Sequence, residues 1–198
     1  MGSVNISYLP DSENEVTAIY KEFENSEKSP ETDLREEADE LFIKLIDSEE
    51  FKFIHIASHG FINSEKPEFS GILFANNNTD DNDGILFMNE IFDIKLDSDL
   101  IVLSAIETGI KEFRRGEGIL GLTRALHYTG TKNSVLSLWQ VSDESTVDLM
   151  LSFYKDILNT YDHPDGFNHS LRTAKLKLIQ EGKYANPFYW SPFILIGN

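Results

Sequence analysis

The sequence predicts an α/β protein, with a mainly parallel sheet covered by helices on both faces and one domain over residues 1–198. Three observations predict it. Four short runs, Phe51–Ser58, Asp99–Ala105, Ser134–Trp139 and Phe193–Gly197, are mostly apolar, as strands buried on both faces must be. Between them lie segments whose apolar residues recur at helical spacing. The chain has 198 residues and is 40% hydrophobic, enough apolar material for one core and too much for wholesale disorder.

The elements follow in order. Val16, Ile19, Tyr20 and Phe23 fall at helical spacing, and Leu34, Ala38, Leu41, Phe42, Leu45 and Ile46 do so again. Two acidic amphipathic helices are expected there, separated near Ser29-Pro30. Phe51–Ser58 is the first buried strand, ended by Gly60. Gly71–Ala75 and Ile85–Phe87 are shorter strand candidates, separated by the turn-rich NNNTDDNDG. A short helix covers Asn89–Ile94. Asp99–Ala105 is the second buried strand, and a charged loop with KEFRR follows it. Gly116–Thr129 is helical, with Gly130 as its stop. Ser134–Trp139 is the third buried strand. Ser142 is a suitable N-cap for a helix to about Thr160, with Asp143 and Glu144 in the first turn, where the helix dipole favours acids. HPDG turns the chain into a helix over Phe167–Gln180, ended at Gly182. Phe193–Gly197 is the last strand.

Charge narrows the function. The chain carries 17 basic and 34 acidic residues, a net charge of -17. Residues 1–50 hold -11 of this, residues 51–100 hold -6, and residues 101–198 are neutral. Neutralising phosphates needs a basic face, so nucleic-acid binding and adhesion to an anionic membrane are both excluded as expectations. The acidic N-terminal half serves solubility in the plain reading, and forms a docking face for a basic partner in the sharper one. There is no cysteine, which removes disulfides, thiolate metal sites and a cysteine nucleophile from the chain as written. The longest uncharged stretch, Tyr184–Asn198, has 15 residues and two prolines, short of the ~20 apolar residues of a membrane helix. The opening MGSVNISYLP lacks a secretion pattern, and a cytoplasmic protein is expected.

In a doubly covered parallel sheet, functional groups gather at the carboxyl ends of the strands. Ser58-His59-Gly60 is one such end: a histidine there can enter a cleft, and the glycine can turn sharply and offer its N–H. Read without further context, His59 fits a structural role slightly better than a catalytic one. Ser104-Ala105-Ile106-Glu107-Thr108-Gly109 is the other end, and by itself reads simply as a strand end. Ser104 lacks a G-x-S-x-G elbow, and nothing in the sequence activates Thr108. Gly116-Glu117-Gly118-Ile119-Leu120-Gly121 matches G-x-G-x-x-G but does not directly follow a strand, so a nucleotide site is a poor fit. His55 and His59 are four apart on a strand, with Ile56 where H-E-x-x-H needs glutamate, so that zinc motif is excluded. His127, His163 and His169 read as surface or packing residues.

Taken together these segments resemble the CHAT domain, a caspase-like cysteine peptidase domain often found beside TPR repeats. YLPDSENEVTAI resembles the family's opening, FIHIASHG its histidine motif and DLIVLSAIETG its nucleophile motif. GEGILGLTRALHYTGTKNSVLSLWQVSDESTVDLMLSFY resembles its central signature, and NPFYWSPFILIGN its closing segment. The resemblance implies a caspase-like three-layer α/β/α sandwich and assigns His59 as the base. It places the nucleophile within LSACETG, where this chain reads LSAIETG, so Ile106 stands at the nucleophile position. Isoleucine has no lone pair with which to attack a carbonyl. Gly60 and the residue-106 N–H remain as an oxyanion hole by the same resemblance, and Asp143 as an acidic pocket residue for a basic P1 side chain, with Glu107 beside the nucleophile position as a second substrate-binding candidate. No cofactor is implied. The expected function is a catalytically inactive CHAT domain that binds a protein or peptide partner, basic partners being the ones its charge suits, with TPR repeats in the natural full-length protein. The alternative is an active cysteine endopeptidase written here with its nucleophile replaced.

Overall fold

A run such as Leu100-Ile101-Val102-Leu103 can be hidden from water only if both faces of its sheet are covered, and all four residues are almost completely buried. The computed structural model describes residues 10–26, 30, 32, 37–46, 51–63, 65–75, 83–104, 115–139, 141–160, 163 and 165–197. Its elements run α1 (Pro10–Asn25), α2 (Glu40–Leu45), β1 (Phe53–Ile56), β2 (Gly60–Phe61), β3 (Gly71–Leu73), β4 (Ile85–Phe87), α3 (Met88–Ile91), β5 (Leu100–Leu103), α4 (Arg115–Tyr128), β6 (Asn133–Ser137), α5 (Asp143–Thr160), α6 (Gly166–Glu181), α7 (Pro187–Trp190) and β7 (Phe193–Gly197).

The central sheet has the order β1-β5-β6-β7. β1 pairs parallel with β5 and β5 parallel with β6, with Ile56 opposite Leu103 and Leu103 opposite Leu136. Side chains alternate between the faces, as a strand period of two requires. Ile54, Ile56, Ile101, Leu103 and Leu136 pack with Ile43 of α2, Met88 and Ile91 of α3 and Leu122 and Leu126 of α4. On the other face Leu100, Val102, Val135 and Phe193 meet Ile19 of α1, Met150, Phe153 and Tyr154 of α5 and Leu171 and Leu178 of α6. This is the three-layer α/β/α sandwich with a mainly parallel sheet that the sequence predicts.

β7 runs antiparallel to β6, with Phe193 opposite Ser137, and is the edge exception to the parallel set. Two helices rather than one lie between them. The packed pair α5 and α6 carries the chain down the sheet and back again, so β7 must leave from the edge at which β6 ended. Lys175 of α6 fixes this edge, its Nζ donating to the Phe193 carbonyl at 2.6 Å.

The structure departs from the sequence expectation in three places. β2, β3 and β4 form a separate antiparallel sheet, with Gly60 opposite Ile72 and Ile72 opposite Leu86, so the backbone does not end its extended run at Gly60 but starts a new strand there. The second acidic helix is shorter than the Leu34–Ile46 pattern. Asp39 forms a bridge with Ala75, whose N–H donates to the Ala38 carbonyl at 2.9 Å, and so serves as the N-cap of α2 rather than as part of it; residues 33–36 lie outside the described residues. The helical turns at Pro67–Phe69 and Pro187–Trp190 are too short to show a period. Gly130 does stop α4: it has φ +96, and a Cβ there would lie 2.0 Å from Asp97 Oδ1.

Candidate functional site

The parallel ladder of β1 and β5 sets the site. The Ser104 N–H donates to the Ile56 carbonyl at 3.1 Å, so the two strands leave the sheet side by side at their carboxyl edge. His59 lies three residues beyond the end of β1 and position 106 three residues beyond the end of β5. Ile106 and Glu107 themselves lie outside the described residues.

His59 is buried, at 8% exposure, in the three-residue link between β1 and β2. That link is clamped by β3. The Leu73 N–H donates to the His59 carbonyl at 2.8 Å, and the Ser58 hydroxyl donates to the Leu73 carbonyl. Residues 59 and 73 therefore form a hydrogen-bonded pair of the antiparallel ladder, and the next pair, Gly60 and Ile72, is a non-bonded one. The Gly60 N–H thus points away from β3 and is not consumed by the small sheet. Gly60 is buried. On its other side β3 lies close against β4 because Gly71 has no side chain: a Cβ there would meet the Leu86 carbonyl oxygen at 2.7 Å.

Asp143 is the first residue of α5, which follows β6 at the same carboxyl edge. Ser142 caps this helix as the sequence predicts, its Oγ accepting from the Ser145 N–H at 3.4 Å. Next in the helix, Glu144 Oε2 accepts from the Tyr184 hydroxyl at 2.7 Å and from Lys183 Nζ at 3.1 Å. These two bonds, Tyr184 first, hold its carboxyl below the ordinary range. Beside them is an aromatic group. Trp139 Nε1 donates to the Phe188 carbonyl at 3.1 Å, and Phe188 and Tyr189 stack edge to face at 5.6 Å. The edge therefore carries His59 and Gly60 at one strand end and the start of α5 at another.

The G-x-G-x-x-G residues 116–121 lie within the first turns of α4 instead of forming a strand-to-helix loop, which removes the structural context of a dinucleotide site. His127 packs against the sheet, its Nε2 lying 3.1 Å from Ser134 Oγ, while His163 and His169 are exposed. Among the described residues no helix is long and apolar enough to cross a membrane.

A polar cluster that sequence reasoning did not assemble lies under the β5 exit. Ser104 Oγ donates to Glu15 Oε2 of α1 at 3.1 Å. Glu15 Oε1 lies 3.1 Å from His55 Nε2, within ion-pair distance but without the alignment of a hydrogen bond. His55 Nδ1 in turn lies 3.1 Å from the Tyr154 hydroxyl. Burial, and then the Glu15 charge, push the Tyr154 phenol well above its ordinary range. The sequence signal was available: Glu15 is in register with Ile19 and Phe23 on one helical stripe.

The family model for the CHAT domain matches residues 1–198. Tetratricopeptide repeat protein 28 of Homo sapiens is 27% identical over 116 residues, and its Mus musculus counterpart is likewise 27% identical over 116. Each match covers 58% of this chain but only 4% of that relative's length. The model match, unlike these, is end to end, and the sandwich with its mainly parallel sheet is the architecture it calls for: this chain belongs to the CHAT domain family.

Proposed function

We propose that this CHAT domain has lost covalent peptidase chemistry and works as a protein- or peptide-binding module with a regulatory role. The observation that carries this reading is the pairing of a preserved scaffold with a missing atom. The strand exits that would bring a base and a nucleophile together are neighbours, yet residue 106 is isoleucine and the chain has no cysteine. A thiolate is the attacking group that chemistry requires.

In this reading His59 and the N–H groups of Gly60 and residue 106 shape a cleft that receives a peptide carbonyl without attacking it. Asp143 and Glu107 supply the negative charge that suits a basic side chain of the bound segment. The acidic excess of residues 1–100 raises the local concentration of such a partner. The relatives named as tetratricopeptide repeat proteins support a setting in which repeats lie beside the domain and present the partner. The alternative, an active endopeptidase with its nucleophile replaced, differs at residue 106, and the codon there in the native gene separates the two.

The test is a panel of fluorogenic peptides, including basic P1 residues, together with anisotropy of a labelled basic peptide. Turnover should equal buffer, and binding should saturate and weaken in Asp143→Asn. Hydrolysis that disappears in His59→Ala would overturn the reading, and so would absence of any peptide binding.

A further inference from the structure

Glu15 is an unusual choice for its place. Positions 15, 19 and 23 form one stripe of α1 facing the sheet, and the other two are Ile19, which is buried, and Phe23, which packs against Tyr154 at 5.5 Å. An apolar side chain at position 15 would bury at no electrostatic cost. A carboxylate there must be desolvated, and a buried ion pair commonly stabilises no more than a well-packed apolar replacement. Stability alone therefore does not account for it.

What the carboxylate contributes is direction. Glu15 Oε2 holds the Ser104 hydroxyl, 89 residues away in sequence, at the last described residue of the β5 exit. Its other oxygen faces His55 of β1, and His55 is fixed from behind by Tyr154 of α5. One side chain from the N-terminal helix thus touches both strands whose ends carry the candidate site. A buried hydrogen bond to an ionised acceptor is stronger and more directional than apolar contact.

We propose that Glu15 is a positioning residue that couples the docking of α1 to the course of the chain leaving β5, so that the N-terminal helix sets the geometry of the site at the sheet edge. The two strand ends it holds, at His55 and Ser104, are those whose continuations the proposed function reads as partners, and in this respect the inference rests on that reading. Movement of α1 by anything attached to or bound against it would be transmitted along this contact.

The experiment uses the full chain carrying Ile106→Cys as a reporter. Glu15→Gln, Ser104→Ala and the two together are compared with Ile19→Ala, which loosens the same helix but keeps the carboxylate. Backbone hydrogen exchange over residues 100–104 and alkylation of the introduced thiol by iodoacetamide are read on each. Glu15→Gln and Ser104→Ala should each speed exchange at the β5 exit roughly three- to tenfold, as loss of one such bond allows, and the pair should add nothing further. Each should also lower alkylation near about pH 6 toward the rate of His59→Ala, whereas Ile19→Ala should lower stability without moving that profile. Additive effects of the two variants, or an equal change of profile in Ile19→Ala, would show that Glu15 only packs the helix and overturn the proposal. If His59→Ala leaves alkylation unchanged, the partnership of His59 and position 106 fails by itself, and the exchange data still decide the coupling. If Glu15→Gln does not fold, Ser104→Ala against Ile19→Ala makes the same comparison.

Discussion

The N–H of Ser104 and the carbonyl of Ile56 meet at 3.1 Å, one step beyond the paired strands β5 and β1. This bond carries the parallel ladder up to the last described residue of β5. It makes the sheet edge a fixed platform from which the His59 segment and the segment bearing residue 106 both depart.

The small sheet clamps the His59 segment through Leu73, and within that sheet Gly71 has no room for a side chain. A Cβ at position 71 would lie 2.7 Å from the Leu86 carbonyl oxygen and 3.2 Å from the Phe87 Cα, both backbone atoms that cannot swing aside. Gly71→Ala should destabilise the protein by about 1–3 kcal/mol. Urea unfolding measures this, and an unchanged midpoint would mean β3 and β4 are free to separate.

Glu40 gives a pH dependence whose sign is fixed. It is 1% exposed; its Oε1 accepts from the Asp83 N–H at 3.0 Å and lies 3.3 Å from Lys44 Nζ. Burial, only partly offset by Lys44, raises its carboxyl above the ordinary 4.5. The folded state therefore keeps this proton to higher pH than the unfolded state does. Its contribution to stability is fully present below 4.5 and is lost as pH rises through the folded value. Glu40→Gln keeps Oε1 and removes the charge, so its Tm relative to the parent should rise from acid to neutral pH. Thermal melts across that range check it, and a difference that falls toward neutrality would reverse the assignment.

The cap of α5 offers a control at the same edge. Glu144 holds Tyr184 and Lys183, which tie the start of α5 to the turn before α7. Glu144→Ala should leave global stability nearly unchanged, because the Glu144–Lys183 ion pair is exposed. It should speed hydrogen exchange over residues 183–190, the segment with Phe188 and Tyr189, and unchanged exchange there would show that the aromatic group is held by other contacts.

The central layer could be read from the sequence because burial on both faces leaves a simple trace, a mostly apolar run without regular alternation, at 51–58, 99–105 and 134–139. The direction of β7 could not, since its apolar run is the same either way and only the paired helices α5 and α6 reverse it. The antiparallel sheet was hidden because β2 has two residues, too few for a period. Of the candidate site, His59 and Gly60 stood out through the strand that precedes them. Glu15, His55 and Tyr154 did not, because residues on three elements form one cluster only when α1 and α5 lie side by side over β1. The lone cue was an acid in register with an apolar stripe.

The wild-type chain should show no turnover of peptide substrates, because neither Ile106 nor any cysteine can supply a thiolate. Mass spectrometry of long incubations with basic-P1 peptides should find them intact, and cleavage that requires His59 would point to Ser104, Thr108 or water as the attacking group.

The most direct test of a latent site is the alkylation of Ile106→Cys by iodoacetamide across the pH range, with and without His59→Ala. The substitution should cost about 1 kcal/mol, in line with small apolar truncations. The thiol should react well below the ordinary pKa of about 8.5 when His59 is present and lose that acid-side reactivity when it is absent. A profile like that of free cysteine in both proteins would contradict it.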